Sequence, residues 1–138
     1  MSVQIDIVYQ GELRTEATHG PSRNVLVTDA PVDNQGKGEA FSPTDLVATA
    51  LGSCMLTVMG IYAQRHEIDL RGATVQVQKE MTTGPVRKIA RLSTHLAIPL
   101  SAQHPQRAAL ERVALTCPVH QSLHPDVDKP VNFSWTGA

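Results

Sequence analysis

Residues 42–67, "SPTDLVATALGSCMLTVMGIYAQRHE", limit what this chain can fold into more than any other stretch. Ser42 is a good N-cap, Pro43 suits the first helical position, and Asp45 falls three residues after the cap, as in a capping box. These signals predict a helix from Pro43 to about Arg65 or His66. Its apolar residues cover nearly the whole circumference, which predicts a buried central helix rather than one lying on a surface. The apolar run 46–63 is interrupted by Thr49, Ser53, Thr57 and several small residues, so no membrane span is expected.

The flanking segments must supply the cover for that helix. Val3, Ile5, Ile7 and Tyr9 alternate with polar neighbours, and Gly11 and Glu12 turn the chain. Leu13, Thr15 and Ala17 alternate again before "HGPS", and "NVLVTD" gives a third strand, so residues 3–29 read as a β-meander. Residues 30–41, "APVDNQGKGEAF", read as a loop. After the helix, strands are expected near 73–80 and 87–98 around "TTGP", the second burying Ala90, Leu92, Leu96 and Ile98 on one face. A second helix is expected from near Pro105, with Leu110, Val113, Ala114 and Cys117 along its inward stripe. Pro118 disfavours helical geometry at Cys117 and should open the chain there. "VNFSW" closes as a strand. The order βββ-α-ββ-α-β gives an α+β class in a single domain spanning residues 1–138.

Charge narrows the partners. The net charge is −1 with lysine and arginine scattered, so neither nucleic acid nor an anionic membrane is indicated. The opening "MSVQIDIVYQ" has no basic segment leading into an apolar one, so no signal peptide is expected and the cytoplasm is the expected compartment. In a reducing cytoplasm the 2 cysteines are better suited to a transient redox pair than to a structural staple.

The residues alone leave the cysteines open. Cys54, in the middle of the long helix, reads first as a small core residue. It lacks the helix N-terminus that commonly activates a thiol, so a reactive Cys54 needs a cation from elsewhere. Cys117 has three readings: a core thiol, a redox thiol freed to move by Pro118, or a zinc ligand with His120 and His124 in a C-x2-H-x3-H spacing that lacks the usual C-x2-C partner.

"SPTDLVATALGSCMLTVM" followed by "CPVHQSL" resembles the OsmC/Ohr family, the osmotically inducible and organic hydroperoxide resistance proteins. "GELRTEATHGPS", "TDAP", "KEM" and "NFSW" resemble its OsmC-like branch. The resemblance implies an α+β OsmC-like fold: an antiparallel β-meander with a long buried central helix carrying the first cysteine, in an intertwined homodimer. It further implies a thiol-dependent peroxidase in oxidative stress defence, acting on organic hydroperoxides. Cys54 would be the nucleophile, Cys117 the resolving thiol, and an external thiol or dithiol the reductant, with no metal or organic cofactor. The resemblance to Ohr-type members implies that the activating cation is an arginine of the N-terminal meander, held by a glutamate directly after the proline of the first motif. Arg14 is the matching candidate, an exposed strand arginine being the plain alternative. Thr44 stands where that glutamate is expected, Asp45 is committed to the cap, and Glu39 in the preceding loop is a possible substitute. Two rivals remain: a non-catalytic member of the fold that binds a small ligand or senses oxidants, and the zinc protein.

Overall fold

The computed structural model describes residues 1–138. Its elements are β1 (Ile5–Gly11), β2 (Arg14–His19), β3 (Val25–Thr28), α1 (Pro43–Arg65), β4 (Thr74–Met81), β5 (Ile89–Ser101), α2 (Arg107–Leu115), α3 (Pro118–Ser122) and β6 (Val131–Gly137), with a short 3-10 turn at Val32–Asn34. They form two compact units, Met1–Val47 and Ala48–Ala138.

The first unit is the expected meander. β1, β2 and β3 pair antiparallel in sequence order, with Ile7 opposite Ala17 and Ala17 opposite Leu26. The β1–β2 connection places both Glu12 and Leu13 at positive φ, 54° and 65°. That is the backbone of a type I′ hairpin turn, built here without the usual Asn-Gly. The Leu13 N–H donates to Tyr9 Oη at 3.3 Å across it. At the far end of the unit the capping box forms as read from the sequence. The Ser42 N–H donates to Asp45 Oδ2 at 2.9 Å, and the Asp45 N–H to Ser42 Oγ at 3.0 Å.

The second unit packs helices on a three-stranded sheet ordered β4-β5-β6. β4 and β5 are antiparallel, whereas β6 runs parallel to β5. A parallel pair needs a crossover, and α2 with α3 provides it. Leu92, Leu96 and Ile98 on β5, Leu110 and Ala114 on α2, and Leu51, Met55 and Met59 on α1 are all fully buried. Gly52 sets how closely α1 approaches β4: a Cβ there would lie 2.9 Å from Val77 Cγ2 and 3.2 Å from Val75 Cγ1.

Two details depart from the sequence reading. Burial on α1 is confined within the single chain to one stripe, Ala48, Leu51, Gly52, Met55, Met59 and Ala63. Thr49, Ala50, Ser53, Thr57 and Ile61 stay exposed. By length and composition α1 would suffice to cross a bilayer, yet its buried stripe holds core side chains. The second departure is at Cys117, which is not on the second helix. α2 ends at Leu115, Cys117 is extended (φ −61°, ψ 145°), and Pro118 opens a separate short helix, α3. Proline does exclude helical geometry at the residue before it, but it also suits the first position of a new helix.

Candidate active site

The 2 cysteines are both free thiols of the second unit. Cys54 lies midway along α1 and is half-buried; Cys117 is fully buried. They are near enough for Cys54 to influence the Cys117 thiol. Cys117 is also the N-cap of α3, its Sγ accepting the His120 N–H at 3.3 Å. Burial is the largest influence on the Cys117 thiol and pushes its pKa up. The neighbouring Cys54 adds to that rise, against the opposing pull of the His120 and Val119 N–H groups. Cys117 is therefore held as a thiol at neutral pH, close to a half-buried partner thiol. The helical position read for Cys117 is corrected, while its burial and its opening at Pro118 hold.

The zinc grouping does not assemble. No three His, Cys, Asp or Glu side chains are placed to share a metal ion. Cys117 Sγ is engaged by the His120 backbone, and His124 Nδ1 accepts the Asp126 N–H at 3.0 Å. Burial first, and then Lys129, lowers the His120 pKa, so its ring is neutral near pH 7.

Arg14 opens β2 in the first unit, and its guanidinium is anchored by two acids. Nη2 lies 2.6 Å from Glu39 Oε1 and 3.7 Å from Asp29 Oδ2. Glu39 is thus the carboxylate on Arg14 that the sequence allowed only as a possible substitute. Asp45 is engaged in the cap instead. Asp29 is 1% exposed, and no spacing in the sequence singled it out beside Arg14. Its Oδ1 accepts the Ala30 N–H at 2.8 Å and its Oδ2 the Glu39 N–H at 3.1 Å. The Glu39 N–H bond is the largest cause of a lowered Asp29 pKa. Burial opposes it, while Ala30, Arg14 and Lys37 add to the lowering, so Asp29 is ionised. The only sequence signal was an acid directly before Ala-Pro, closing a strand.

Comparison with known proteins places this arrangement in context. A family model described as OsmC-like protein matches residues 36–129. A candidate osmotic stress induced and detoxification response protein of Psychrobacter arcticus 273-4 is 47% identical over 94% of this chain and 93% of its own, with a TM-score of 0.87. An organic hydroperoxide resistance protein OsmC of Legionella pneumophila, described as a predicted redox protein, superposes with a TM-score of 0.77 at 17% identity, covering 97% of both chains. An OsmC-like protein of Mycoplasma pneumoniae gives 0.79 at 17% identity over 98% of this chain and 97% of its own. At such identities the last two speak to the fold alone. No curated protein matches.

Proposed function

The chain belongs to the OsmC-like protein family, and from that premise we propose that it is a thiol-dependent peroxidase reducing organic hydroperoxides in oxidative stress defence. The observation that carries this reading is the pair of free thiols near enough to influence each other, one half-buried and the other wholly buried. A half-buried thiol on a fixed helix can receive a peroxide, and a buried thiol beside it is protected from reacting first. The hydroperoxide resistance named for the Legionella relative is consistent with that division of labour.

The chemistry follows from sulfur reactivity. The Cys54 thiolate attacks the distal oxygen of ROOH, the O–O bond breaks, and RO⁻ takes a proton and leaves as the alcohol. Sulfur is oxidised to the sulfenic acid by two electrons and the peroxide is reduced by the same two. Cys117 then attacks the Cys54 sulfur, releasing water and forming the disulfide. Two external thiols, or one dithiol, exchange with the disulfide and return both cysteines to the thiol state. A reducing compartment such as the cytoplasm supplies that reductant. Arg14 serves as the cation that favours the attacking thiolate and stabilises charge on the departing oxygen. The working unit is a homodimer.

The test is a count of free thiols before and after an equimolar addition of cumene hydroperoxide, with hydrogen peroxide in parallel. Loss of both thiols with the organic peroxide, reversed by dithiothreitol, is expected. Unchanged thiols with either oxidant would replace the peroxidase with the small-ligand-binding reading.

A further inference from the structure

We propose that closing a Cys54–Cys117 disulfide uncaps α3, so that residues 118–126 loosen in the oxidised protein and fold back when it is reduced; this rests on the two-cysteine reading of the site. α3 has little else to hold it. It is 5 residues long, contains no buried residue, and takes its side-chain cap from Cys117, whose Sγ accepts the His120 N–H at 3.3 Å. A helix of that length does not persist in water on its own propensity. Two backbone bonds close its turn, from the Gln121 N–H to the Cys117 carbonyl at 3.1 Å and from the Leu123 N–H to the Val119 carbonyl at 3.2 Å. The Gln121 side chain reaches the Leu115 carbonyl only at 3.4 Å.

One sulfur cannot serve both states. Cys54 sits midway along α1, and the fully buried Leu51, Met55 and Met59 fix that helix in the core. Cys117 lies on the extended residue between α2 and α3, so its side chain is the one that turns to make the bond. Its Sγ then leaves its place beside the His120 N–H, and a disulfide sulfur is a poor acceptor for an amide in any case. The His120 N–H loses its partner and α3 loses its cap.

The opening has limits on both sides. α2 is anchored by the fully buried Leu110 and Ala114. Beyond α3, Asp128 is laced into the second sheet. Its N–H donates to the Ala90 carbonyl at 3.0 Å, its carbonyl accepts the Leu92 N–H at 2.8 Å, and its carboxylate accepts Arg91 Nε at 3.0 Å. Residues 118–126 lie between these moorings and loosen alone. The result is a redox-dependent gate on Cys117. Its sulfur is fully buried as a thiol, and release of α3 opens it, as a disulfide, to an attacking thiolate.

Amide hydrogen exchange on reduced and diamide-oxidised full-length protein tests the gate. Diamide takes up the two electrons and two protons of the thiol pair, so the disulfide forms without peroxide, and mass analysis reads the loss of two hydrogens. Exchange at the Gln121 and Leu123 N–H groups should accelerate roughly fivefold on oxidation, the effect of losing one helix cap, with Leu92 and Asp128 unchanged. Cys117→Ala, which removes the cap, should show the same acceleration without oxidant. Cys117→Ser, whose hydroxyl can cap, should not. Cys54→Ser keeps the cap and should ignore diamide. A disulfide that forms with no change at Gln121 and Leu123 overturns the proposal and leaves the peroxidase reading intact. Acceleration spread equally to Leu92 and Asp128 is general destabilisation and overturns it too. Failure of diamide to form the disulfide overturns the gate and the two-cysteine pairing together. Loosening with diamide, but no thiol lost to cumene hydroperoxide, overturns the peroxidase reading alone.

Discussion

Cys54 and Cys117 carry the same functional group and differ in what surrounds it. One is half-buried on a rigid helix; the other is fully buried at the break between α2 and α3. Cys54→Ser is therefore expected to abolish peroxide consumption. Cys117→Ser should react once and leave a sulfenic acid on Cys54 that dimedone traps, and the serine hydroxyl can still cap α3. Full turnover by Cys54→Ser with a dead Cys117→Ser would exchange the two roles. The raised pKa of Cys117 has its own consequence. A thiol held protonated above its ordinary value of 9.0 gains thiolate about tenfold per pH unit until its folded pKa is passed. Disulfide closure after the sulfenic acid has formed should therefore keep accelerating above pH 9 (rapid acid quench and mass analysis would time it). A closure rate already flat at pH 8 would show that the buried thiol is not limiting. Arg14 has two acids beside it, so Thr44→Glu in the wild-type chain should leave peroxide consumption unchanged. A several-fold increase would mean that Arg14 is poorly held by Glu39.

At the scale of elements, the contact between α1 and β4 is decided by one missing side chain. A Cβ at Gly52 would press on Val77 and Val75. Gly52→Ala gains helix propensity of about 1 kcal/mol but overpacks a filled interface at a cost of about 1–3 kcal/mol. A net loss of about 1 kcal/mol is expected, read as a lower urea midpoint. Val77→Ala opens space at that contact, so the double variant should lose less than the sum of the singles. Strict additivity would place the strain elsewhere. The start of α1 was legible in the sequence because a capping box lies within four consecutive residues, Ser42 to Asp45. The meander was legible because alternation is local too. The parallel course of β6 was not, since strand direction depends on a crossover and "VNFSW" reads identically either way. α3 escaped for a related reason: Pro118 both ends one geometry and begins another, and composition shows only the ending. The candidate site divides in the same way. Its cysteines and arginine stood in recognisable motifs, and Asp29 lies within "TDAP", but its pairing with the Glu39 N–H joins a strand end to a loop ten residues on, which no spacing in the sequence shows.

For the whole molecule, apolar surface is what a single chain leaves unexplained. Ile7 and Val8 are 64% and 62% exposed, and as neighbours on one strand they point to opposite faces of the first sheet. Ile5, Tyr9 and Leu26 add to one face, and Val25 and Val27 to the other. On α1, Ile61 is 46% exposed on the side away from the buried stripe. Single chains rarely leave contiguous apolar surface of this extent in water, and burying one such isoleucine contributes about 1.5–3 kcal/mol. A second copy of the chain is the partner proposed with the peroxidase, and it accounts for two exposed sheet faces better than isolated surface residues do. Light scattering at micromolar concentration should give the mass of a dimer, and the thermal midpoint should rise with protein concentration because folding and association are linked. Ile7→Asp and Val8→Asp then report on the two faces separately. A carboxylate on a face covered by the partner should shift the chain toward monomer and lower the midpoint. On an open face it should do neither. If the wild-type chain is monomeric with a midpoint independent of concentration, the homodimer is wrong and the exposed sheet needs another occupant. If it is dimeric and both variants dissociate it, both faces of the first sheet are covered in the assembly, and the apolar residues exposed on each in the single chain are buried by the partner.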